Sequence, residues 1–324
     1  MPTILVTGGA GYIGSHTVHQ LLQSGFRVVV ADDLSKGHAA SVPDGLLRVC
    51  SLFDREQLAG ILRAERVDAV IHFAAFIAVG ESTREPEKYF HNNTGGSISL
   101  FSAMADAGVN KLVFSSTAAV YGNPDFVPIP ENAAIRAVNP YGESKLMVEK
   151  VLEWLDASRG VRSIRLRYFN ACGANNAAGL GERHEPETHL IPLILRAART
   201  GNPVTLFGDD YDTPDGTCVR DYVHVDDLAS AHIAAVNHLL GGGASATFNA
   251  GTGRGFSVRE VVDAVEKVTG RKVPYVMGPR REGDPAQLVA DSSLLRGTLG
   301  WQPKFDTLES IIESAWVFET QNFH

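Results

Sequence analysis

Two side chains that could exchange a proton, Tyr141 and Lys145, stand four residues apart. Asn139 and Pro140 precede them, and these residue types favour the cap and the first turn of a helix. We therefore expect Tyr141 and Lys145 on one face of one helical turn. A free tyrosine has a pKa of roughly 10, and a neighbouring ammonium group favours its phenolate form. The pair predicts a tunable acid–base group.

Hydroxyl groups cluster after an apolar run at 111–115 that is typical of a buried strand. Ser115, Ser116 and Thr117 follow one another at its carboxyl end, which is where open α/β sheets place their ligands. Hydroxyls at this position can hydrogen-bond a substrate hydroxyl as it loses its proton.

Glycines with a spacing of three follow the first strand, which we predict at 3–7. Gly8, Gly11 and Gly14 lead into a stretch with helical apolar spacing. A strand, a glycine turn and a helix in this order predict a cradle for a dinucleotide pyrophosphate. The spacing differs from the commonest G-x-G-x-x-G fingerprint.

Two acids, Asp32 and Asp33, close the next predicted strand, about 20 residues beyond the glycines. An acid at that place binds the hydroxyls of the adenosine ribose, and its charge would repel a 2′-phosphate. The sequence therefore predicts NAD rather than NADP as the cofactor. Lys36, just after the acids, is the one residue that weakens this preference.

Strands alternate with helices up to residue 170, and this pattern predicts an α/β fold with a Rossmann-type doubly wound parallel sheet. We assign 1–170 to the NAD-binding domain and 171–324 to a smaller mixed α/β lobe for the substrate. The boundary is approximate, and the chain can cross between the lobes. Two short strands, at 204–207 and 246–249, are assigned to the smaller lobe.

Composition restricts the partners. The net charge of −8 argues against nucleic acid. Three scattered cysteines favour neither a disulfide framework nor a zinc site. No signal peptide or membrane-length apolar run is found in the sequence, so we expect a cytoplasmic protein without membrane contact.

Two stretches resemble metal motifs but fail in detail. The run 184–189 is not H-E-x-x-H, and Pro186 disfavours the helix that such a site needs. The run 210–216 has calcium-loop residues at shifted spacing and lacks the closing glutamate. Both are interpreted as loops, and no metal is expected.

Taken together, these stretches resemble the extended short-chain dehydrogenase/reductase family, and within it the UDP-sugar 4-epimerases. The resemblance runs essentially end to end. It rests on the glycine turn and on His72-Phe73-Ala74-Ala75, Val79-Gly80-Glu81-Ser82, Tyr141 to Glu149, Arg167-Tyr168-Phe169-Asn170, Asp215 to Val225, and Arg281-Glu282-Gly283-Asp284.

The resemblance implies reversible 4-epimerisation of a UDP-hexose through a transient 4-keto sugar, with tightly bound NAD. Tyr141 would take the proton of the sugar 4-hydroxyl, and Thr117 would bridge that hydroxyl and the tyrosine. Lys145 would bind the nicotinamide ribose and lower the tyrosine pKa. A homodimer is implied as well, in which Gly95, Gly96 and Ser97 would allow helices of two copies to approach, although small residues on a helix can equally face the chain's own sheet.

Further contacts are implied by position. The implied cofactor residues are Gly8, Gly11, Tyr12, Ile13, Gly14, Asp32, Asp33, Leu34, Ser51, Leu52, Phe73, Ala74, Ala75, Asn92, Ser115, Tyr141, Lys145 and Tyr168. The implied substrate residues are Thr117, Tyr141, Asn170, His189, Leu190, Phe207, Arg220, Tyr222, Arg281, Asp284 and Leu288. Paired arginines suit a diphosphate bound to a protein of net negative charge.

Three positions depart from the family pattern. Ser51 replaces an aspartate that often contacts adenine, and Ile77 lies where some members have a lysine near the cofactor. Leu288 falls where members with a narrow pocket carry a tyrosine beside the sugar. We hypothesise that Leu288 widens the pocket and admits N-acetylhexosamines.

Other functions remain open at this stage. Nucleotide-sugar dehydratases and decarboxylases carry acids after the strand-end hydroxyl, where this chain has Ala118 and Ala119, so we do not expect that chemistry. A UDP-glucuronate or UDP-pentose 4-epimerase is an alternative within the family. A non-catalytic NAD-sensing protein is the alternative from another class.

Overall fold

The structure is a computed structural model, and it describes residues 1–281 and 284–323. Glu282 and Gly283 of the 281–284 motif lie outside the described residues. Within these two ranges, no helix combines the length and the apolar character that a membrane crossing requires.

The elements follow one another in this order. The strands are β1 (Thr3–Thr7), β2 (Arg27–Asp32), β3 (Leu47–Val49), β4 (Ala69–His72), β5 (Lys111–Thr117), β6 (Arg162–Tyr168), β7 (Asn170–Cys172), β8 (Val204–Phe207), β9 (Val219–His224), β10 (Ala246–Ala250), β11 (Gly255–Ser257), β12 (Tyr275–Gly278) and β13 (Gln287–Leu288). The helices are α1 (Tyr12–Gln23), α2 (Arg55–Ala64), α3 (Val79–Arg84), α4 (Pro86–Tyr89), α5 (Gly96–Ala107), α6 (Pro140–Arg159), α7 (Leu190–Thr200), α8 (Val225–Leu240), α9 (Val258–Thr269), α10 (Ser293–Leu299) and α11 (Leu308–Asn322).

The central sheet has seven strands in the described part of the chain, in the order β10-β6-β5-β4-β1-β2-β3. Every pairing within it is parallel. The order reverses beside β1, and open sheets of this kind bind ligands at such a switch point. The prediction of a Rossmann-type doubly wound sheet is confirmed.

Alternate residues of the central strands pack into two separate apolar clusters, as the period of a strand requires. Ile4 and Val6 of β1 join the cluster that includes Leu228 of α8. Leu5 joins the opposite cluster, with Leu100 of α5. Helices therefore cover both faces of the sheet, and the strand ends remain as the edge at which a ligand can bind.

A third apolar cluster lies in the second half of the chain. It joins α7, α9 and α11 to the small sheets formed by β8 with β12 and by β9 with its neighbours. These strands are short, and the sheets hold elements that come from widely separated parts of the sequence.

The strand assigned to 246–249 belongs elsewhere than predicted. It is β10, which pairs in parallel with β6 at the edge of the central sheet, and α8 packs against α1. A short apolar run fits either sheet equally well, so its sequence does not reveal its neighbour. The division of the chain at residue 170 stays a prediction.

The helical stretch after Pro86 is present, and a π-helical segment, Phe90–Gly95, joins α4 to α5. The small residues at the start of α5, Gly96 and Ser97, face the interior of the chain. A Cβ atom at Gly96 would meet Leu52, and the Ser97 hydroxyl is hydrogen-bonded to His72. Gly96 and Ser97 thus pack within their own chain, which is the alternative that the sequence left open, and the homodimer stays a prediction.

Candidate active site

The glycine turn after β1 is closed by contacts that leave no room for side chains. Gly8 has φ +73°, and a Cβ atom there would lie 2.5 Å from the backbone nitrogen of Ala74. A Cβ atom at Gly14 would overlap the carbonyl oxygen of Gly8. The helix α1 starts after Gly11, its N-cap. The N–H groups that begin α1 therefore lie beside the ends of β1 and β4, as a phosphate cradle requires.

Of the two acids at the end of β2, only Asp32 faces this turn. Its carboxylate accepts hydrogen bonds from the backbone N–H groups of Ala10, at 3.0 Å, and Leu34, at 2.9 Å. Burial raises the pKa of Asp32, and these two N–H groups oppose the rise. The exposed Asp33 instead accepts from Ser35 in its own loop. Asp32 is thus the acid whose carboxylate lies against the glycine turn.

Three further segments that contain predicted cofactor residues lie near the strand ends of the central sheet. Leu52 packs on Gly96, and the ring of Phe53 stacks on His91 at 4.5 Å, so the segment holding Ser51 and Leu52 lies along the one that holds Asn92. Phe73 contacts the ring of His232 at 4.6 Å.

The helix α6 begins as the sequence predicts. The Asn139 side chain accepts a hydrogen bond from the Gly142 N–H at 2.8 Å, and Pro140 opens the helix. A Cβ atom at Gly142 would lie 2.7 Å from the carbonyl oxygen of Ala119. This close approach sets the first turn of α6 against the end of β5, so that Tyr141 lies beside Thr117.

The proposed acid–base group is largely enclosed. Burial raises the pKa of Tyr141, and hydrogen bonding to the Thr117 side chain opposes that rise. The Lys145 ammonium donates to the Ser115 carbonyl at 2.9 Å and lies 5.0 Å from the centre of the Phe114 ring. Burial lowers the pKa of Lys145 to about 7. The Ser115 hydroxyl is hydrogen-bonded to the Tyr168 phenol.

Two polar networks behind this group are absent from our sequence prediction. In the first, the Glu149 carboxylate accepts from Ser116 and, at 2.9 Å, from the Arg167 guanidinium. Arg167 also donates to the Tyr121 phenol at 3.0 Å. Glu149 follows Lys145 by four residues on α6, which is the helical spacing that could have indicated it.

The second network starts at β4. The two ring nitrogens of His72 are hydrogen-bonded to Thr7, at 2.7 Å, and Ser97, at 2.9 Å. Burial, aided by the charge of Lys145, lowers the pKa of His72 to about 3, so the imidazole is neutral. Asn93 then links this network to the Ser144 hydroxyl at 3.0 Å.

On the substrate side, cationic and anionic residues from distant positions meet. Arg220 on β9 forms an ion pair with Asp284 and donates to the Pro285 carbonyl at 2.7 Å. The guanidinium of Arg281 lies 4.2 Å from the centre of the Phe207 ring. Arg281 is exposed, whereas Arg220 is buried.

Four other predicted substrate residues occupy neighbouring elements. Asn170 on β7 pairs in register with Tyr222 on β9. His189 is the N-cap of α7, and Leu190 is its first residue. Tyr222 lies in the apolar cluster of the second half and is only 3 % exposed, which favours a packing role over ligand contact.

Leu288 connects the two sides. It pairs in register with Arg220 and packs against the apolar cluster that contains Ala118 and Val120, just after Thr117. The residue predicted to shape the sugar pocket therefore lies between the acid–base group and the arginine of the substrate side.

Comparison with known proteins shows the family to which this chain belongs. Residues 4–251 match the NAD dependent epimerase/dehydratase family. The chain belongs to this family. Because the match spans the central sheet through β10, it includes the glycine turn, Thr117, Tyr141 and Arg220.

Individual members of the NAD dependent epimerase/dehydratase family are similar over nearly the full length. The UDP-glucose 4-epimerase of Lacticaseibacillus casei is 51 % identical, with 97 % of this chain and 96 % of that protein covered. The crystal structure of UDP-glucose 4-epimerase from Brucella ovis in complex with NAD has 45 % identity and a TM-score of 0.95, with 98 % of each chain covered. The UDP-glucose-4-epimerase from Stenotrophomonas maltophila with bound NAD and formylated UDP-arabinopyranose has 43 % identity and a TM-score of 0.96, with 99 % of this chain and 98 % of that chain covered.

The site also bears on the chemistry within the NAD dependent epimerase/dehydratase family. Ala118, where dehydratases are expected to carry an acid, is buried in the apolar cluster beside Thr117. The side chain at this position therefore supplies no acid–base group.

Proposed function

We propose that this protein catalyses the reversible 4-epimerisation of a UDP-hexose, interconverting UDP-galactose and UDP-glucose through a transient 4-keto sugar, with NAD as a tightly bound cofactor. The observation that carries the proposal is that Tyr141, Thr117 and Lys145 lie together at the carboxyl end of β5, on the same edge of the parallel sheet as the glycine turn after β1. The similarity of this chain to UDP-glucose 4-epimerases over nearly its full length supports the same proposal.

The residues at the sheet edge fit NAD. The glycines leave backbone N–H groups open to a pyrophosphate at the start of α1, and the Asp32 carboxylate stands where ribose hydroxyls bind. When bound, NAD supplies a reversible hydride acceptor at its nicotinamide ring. The exposed Lys36 ammonium contacts the Glu185 carbonyl at 3.3 Å, so its charge is directed to a neighbouring loop.

Side chains of the protein transfer the proton of the sugar 4-hydroxyl. Tyr141 takes the proton of the sugar 4-hydroxyl and returns it after the sugar has turned, and Thr117 bridges the two oxygens. Burial raises the tyrosine pKa, so the phenolate needs positive charge nearby, which Lys145 and the oxidised cofactor bring. The first network, from Ser116 through Glu149 to Arg167, holds α6 and β5 in place for this exchange.

The nucleotide half of the substrate binds on the second side. Arg220 and Arg281, with Asn170, hold the diphosphate, and Asp284 holds the uridine ribose. Two arginines near one another offset the net negative charge of the protein where an anion must bind. His189, Leu190 and Phe207 complete this side of the site.

The test is a coupled assay on UDP-galactose and UDP-N-acetylgalactosamine without added NAD. Tyr141→Phe removes one hydroxyl, and we expect a loss of about 10²- to 10⁴-fold in turnover with NAD still bound. Tyr275→Phe makes the same change at an exposed tyrosine of β12 and should retain activity.

The outcomes separate the alternatives. No turnover of either sugar, with NAD present in the protein, would point to UDP-glucuronate or UDP-pentose substrates. No turnover and no bound NAD would favour the sensing protein. Equal activity of Tyr141→Phe and the wild type would refute the assigned role of the phenol.

We further propose a cytoplasmic homodimer. The three cysteines are free thiols, which supports a reducing compartment. Ile98 on α5 and Met147 and Trp154 on α6 are exposed apolar residues, which supports a helix-to-helix contact between copies. Sedimentation velocity of the wild type and of Trp154→Glu would test the dimer, and a monomeric wild type would contradict it.

A further inference from the structure

Four side chains from one short loop converge at a single point. Glu182, His184, Glu187 and His189 each direct one potential ligand atom there, and these atoms all lie within 4.8 Å of one another. The loop immediately precedes α7, and His189 is the N-cap of that helix. The sequence pattern E-x-H-x-x-E-x-H has no helical zinc motif, and only the folded loop brings its four members together.

The distances suit a small cation with four ligands. The Nδ1 atom of His184 lies 2.9 Å from a Glu182 oxygen and 3.9 Å from a Glu187 oxygen. The Nδ1 atom of His189 lies 2.6 Å and 3.2 Å from oxygens of the same two carboxylates. Ligand atoms around a tetrahedral zinc ion are roughly 3.3 Å apart, given bonds of about 2.0–2.2 Å. Shifts of less than about 1 Å would therefore place all four atoms on one ion.

The charges and donor types also favour a cation. The carboxylate side chains are 7 % and 2 % exposed, and no lysine or arginine is paired with either of them among the described residues. Two buried carboxylates need a compensating charge, which His184 and His189 supply only when they are protonated and which a bound cation would supply in their place. Two imidazole nitrogens with two carboxylate oxygens match zinc better than magnesium or calcium, which prefer oxygen ligands alone.

Backbone groups hold one ligand in place. One Glu187 oxygen accepts from the N–H groups of Thr188, at 2.7 Å, and His189, at 2.8 Å. Its other oxygen is the one 3.9 Å from His184. Outer hydrogen bonds of this kind orient metal-binding carboxylates and strengthen the site.

The same loop lies over the glycine turn. The Arg183 carbonyl contacts the His38 ring nitrogen at 2.9 Å, and the Glu185 carbonyl accepts from Lys36 at 3.3 Å. The ring of His184 meets the ring of Tyr12 edge-on at 6.2 Å. A cation bound to the cluster would thus hold the 181–189 loop in place between the glycine turn and the start of α7.

We propose that Glu182, His184, Glu187 and His189 bind one divalent transition-metal ion, with zinc as the best match, and that this ion fixes the 181–189 loop across the glycine turn. The ion is structural: all four protein ligands are supplied, as in closed zinc sites. It takes no part in the proton exchange at Tyr141.

The test uses the full-length protein as purified, with its cofactor and without an affinity tag. ZnCl₂ is titrated against a competing chelator, and Co²⁺ replaces zinc to report coordination geometry by visible absorption. We expect one zinc per chain and a tetrahedral cobalt spectrum. His184→Ala should weaken zinc binding by about tenfold or more. His238→Ala removes a histidine near the end of α8 and should leave zinc binding unchanged.

Hydrogen exchange measures whether zinc orders the 181–189 loop. Zinc should slow exchange of the backbone amides of 181–189 in the wild type but not in His184→Ala. If His184→Ala does not fold, Glu187→Gln takes its place. Absence of stoichiometric zinc binding by the wild type would overturn the proposal and leave a hydrogen-bonded ion-pair cluster. Equal affinity in His184→Ala and the wild type would overturn it as well, by showing that the metal binds elsewhere.

Discussion

The cofactor side and the substrate side of the site are built in different ways. The cofactor side is formed at the ends of β1, β2 and β4, and backbone-to-backbone contacts such as Gly8 against Ala74 close it. On the substrate side, the Arg220–Asp284 ion pair joins residues 64 positions apart in the sequence. The first side depends on close backbone packing, and the second depends on contacts between side chains.

This difference determines how each side responds to change. Backbone groups cradling a pyrophosphate cannot adapt to an added side chain, since neighbouring atoms already touch. Side chains on short strands and loops can move, so the substrate side can vary its preference without loss of the fold. The predictions below test this contrast, starting with the largest expected effect.

Removing the centre of the buried network beneath the acid–base group should cost the most stability. Glu149→Ala leaves the Arg167 guanidinium, 5 % exposed, without its carboxylate. We expect a loss of about 3–5 kcal/mol in the free energy of unfolding. Denaturant titration measures it.

The matched control lies in the second half of the chain. Glu309→Ala removes an ion pair with Lys267 between α11 and α9, whose side chains are 45 % and 73 % exposed. Its loss should be at most about 1 kcal/mol. Equal losses in the two variants would show that the network beneath the acid–base group is no more important for stability than a surface pair.

Lys145→Met should separate stability from activity. Burial lowers the lysine pKa from 10.5 to about 7, so between these pH values the unfolded chain holds a proton that the folded chain lacks. Stability of the wild type therefore rises with pH across this window, and folding is penalised most below pH 7. We expect Lys145→Met to lose turnover while gaining on the order of a few kcal/mol at pH 6.

Urea titrations of both proteins from pH 6 to pH 10 measure this difference. The gain should shrink as pH rises, because the neutral lysine no longer carries a buried charge. A gain that does not change with pH would contradict a buried, titrating Lys145.

Gly14→Ala tests the rigid backbone of the cofactor side. The added Cβ would overlap the Gly8 carbonyl oxygen, so the turn must deform. We expect a loss of about 1–3 kcal/mol in stability, together with loss of resident NAD measured by absorbance after denaturation. Gly60→Ala, on α2, adds the same atom where nothing lies within 4 Å, and it should stabilise the helix slightly. Retention of NAD by Gly14→Ala would show that the turn adapts after all.

Local signals explain which parts could be predicted from the sequence. The Asn139 cap, the helix after Pro140 and the glycine turn all depend on neighbours within a few residues, and the structure contains them as expected. The partners of β10 and Glu149 depend on the tertiary arrangement, because a short apolar strand and a helical glutamate have several possible neighbours. The run 184–189 lacks the helix that a zinc motif requires, whereas the folded loop brings potential ligand atoms of Glu182, His184, Glu187 and His189 together, which its sequence spacing does not reveal.

Leu288→Tyr should change sugar preference on the adaptable side while the cofactor side stays intact. Leu288 packs beside Ala118 and Val120 and pairs with Arg220, so a larger ring there narrows the space between the acid–base group and the substrate arginine. We expect the ratio of turnover on UDP-N-acetylgalactosamine to that on UDP-galactose to fall by about tenfold, the usual effect of reshaping one pocket wall. Leu288→Met keeps the volume and should leave the ratio near the wild-type value. Because both sugars share the nucleotide and the reacting hydroxyl, an unchanged ratio in Leu288→Tyr would place the wall that selects the sugar elsewhere.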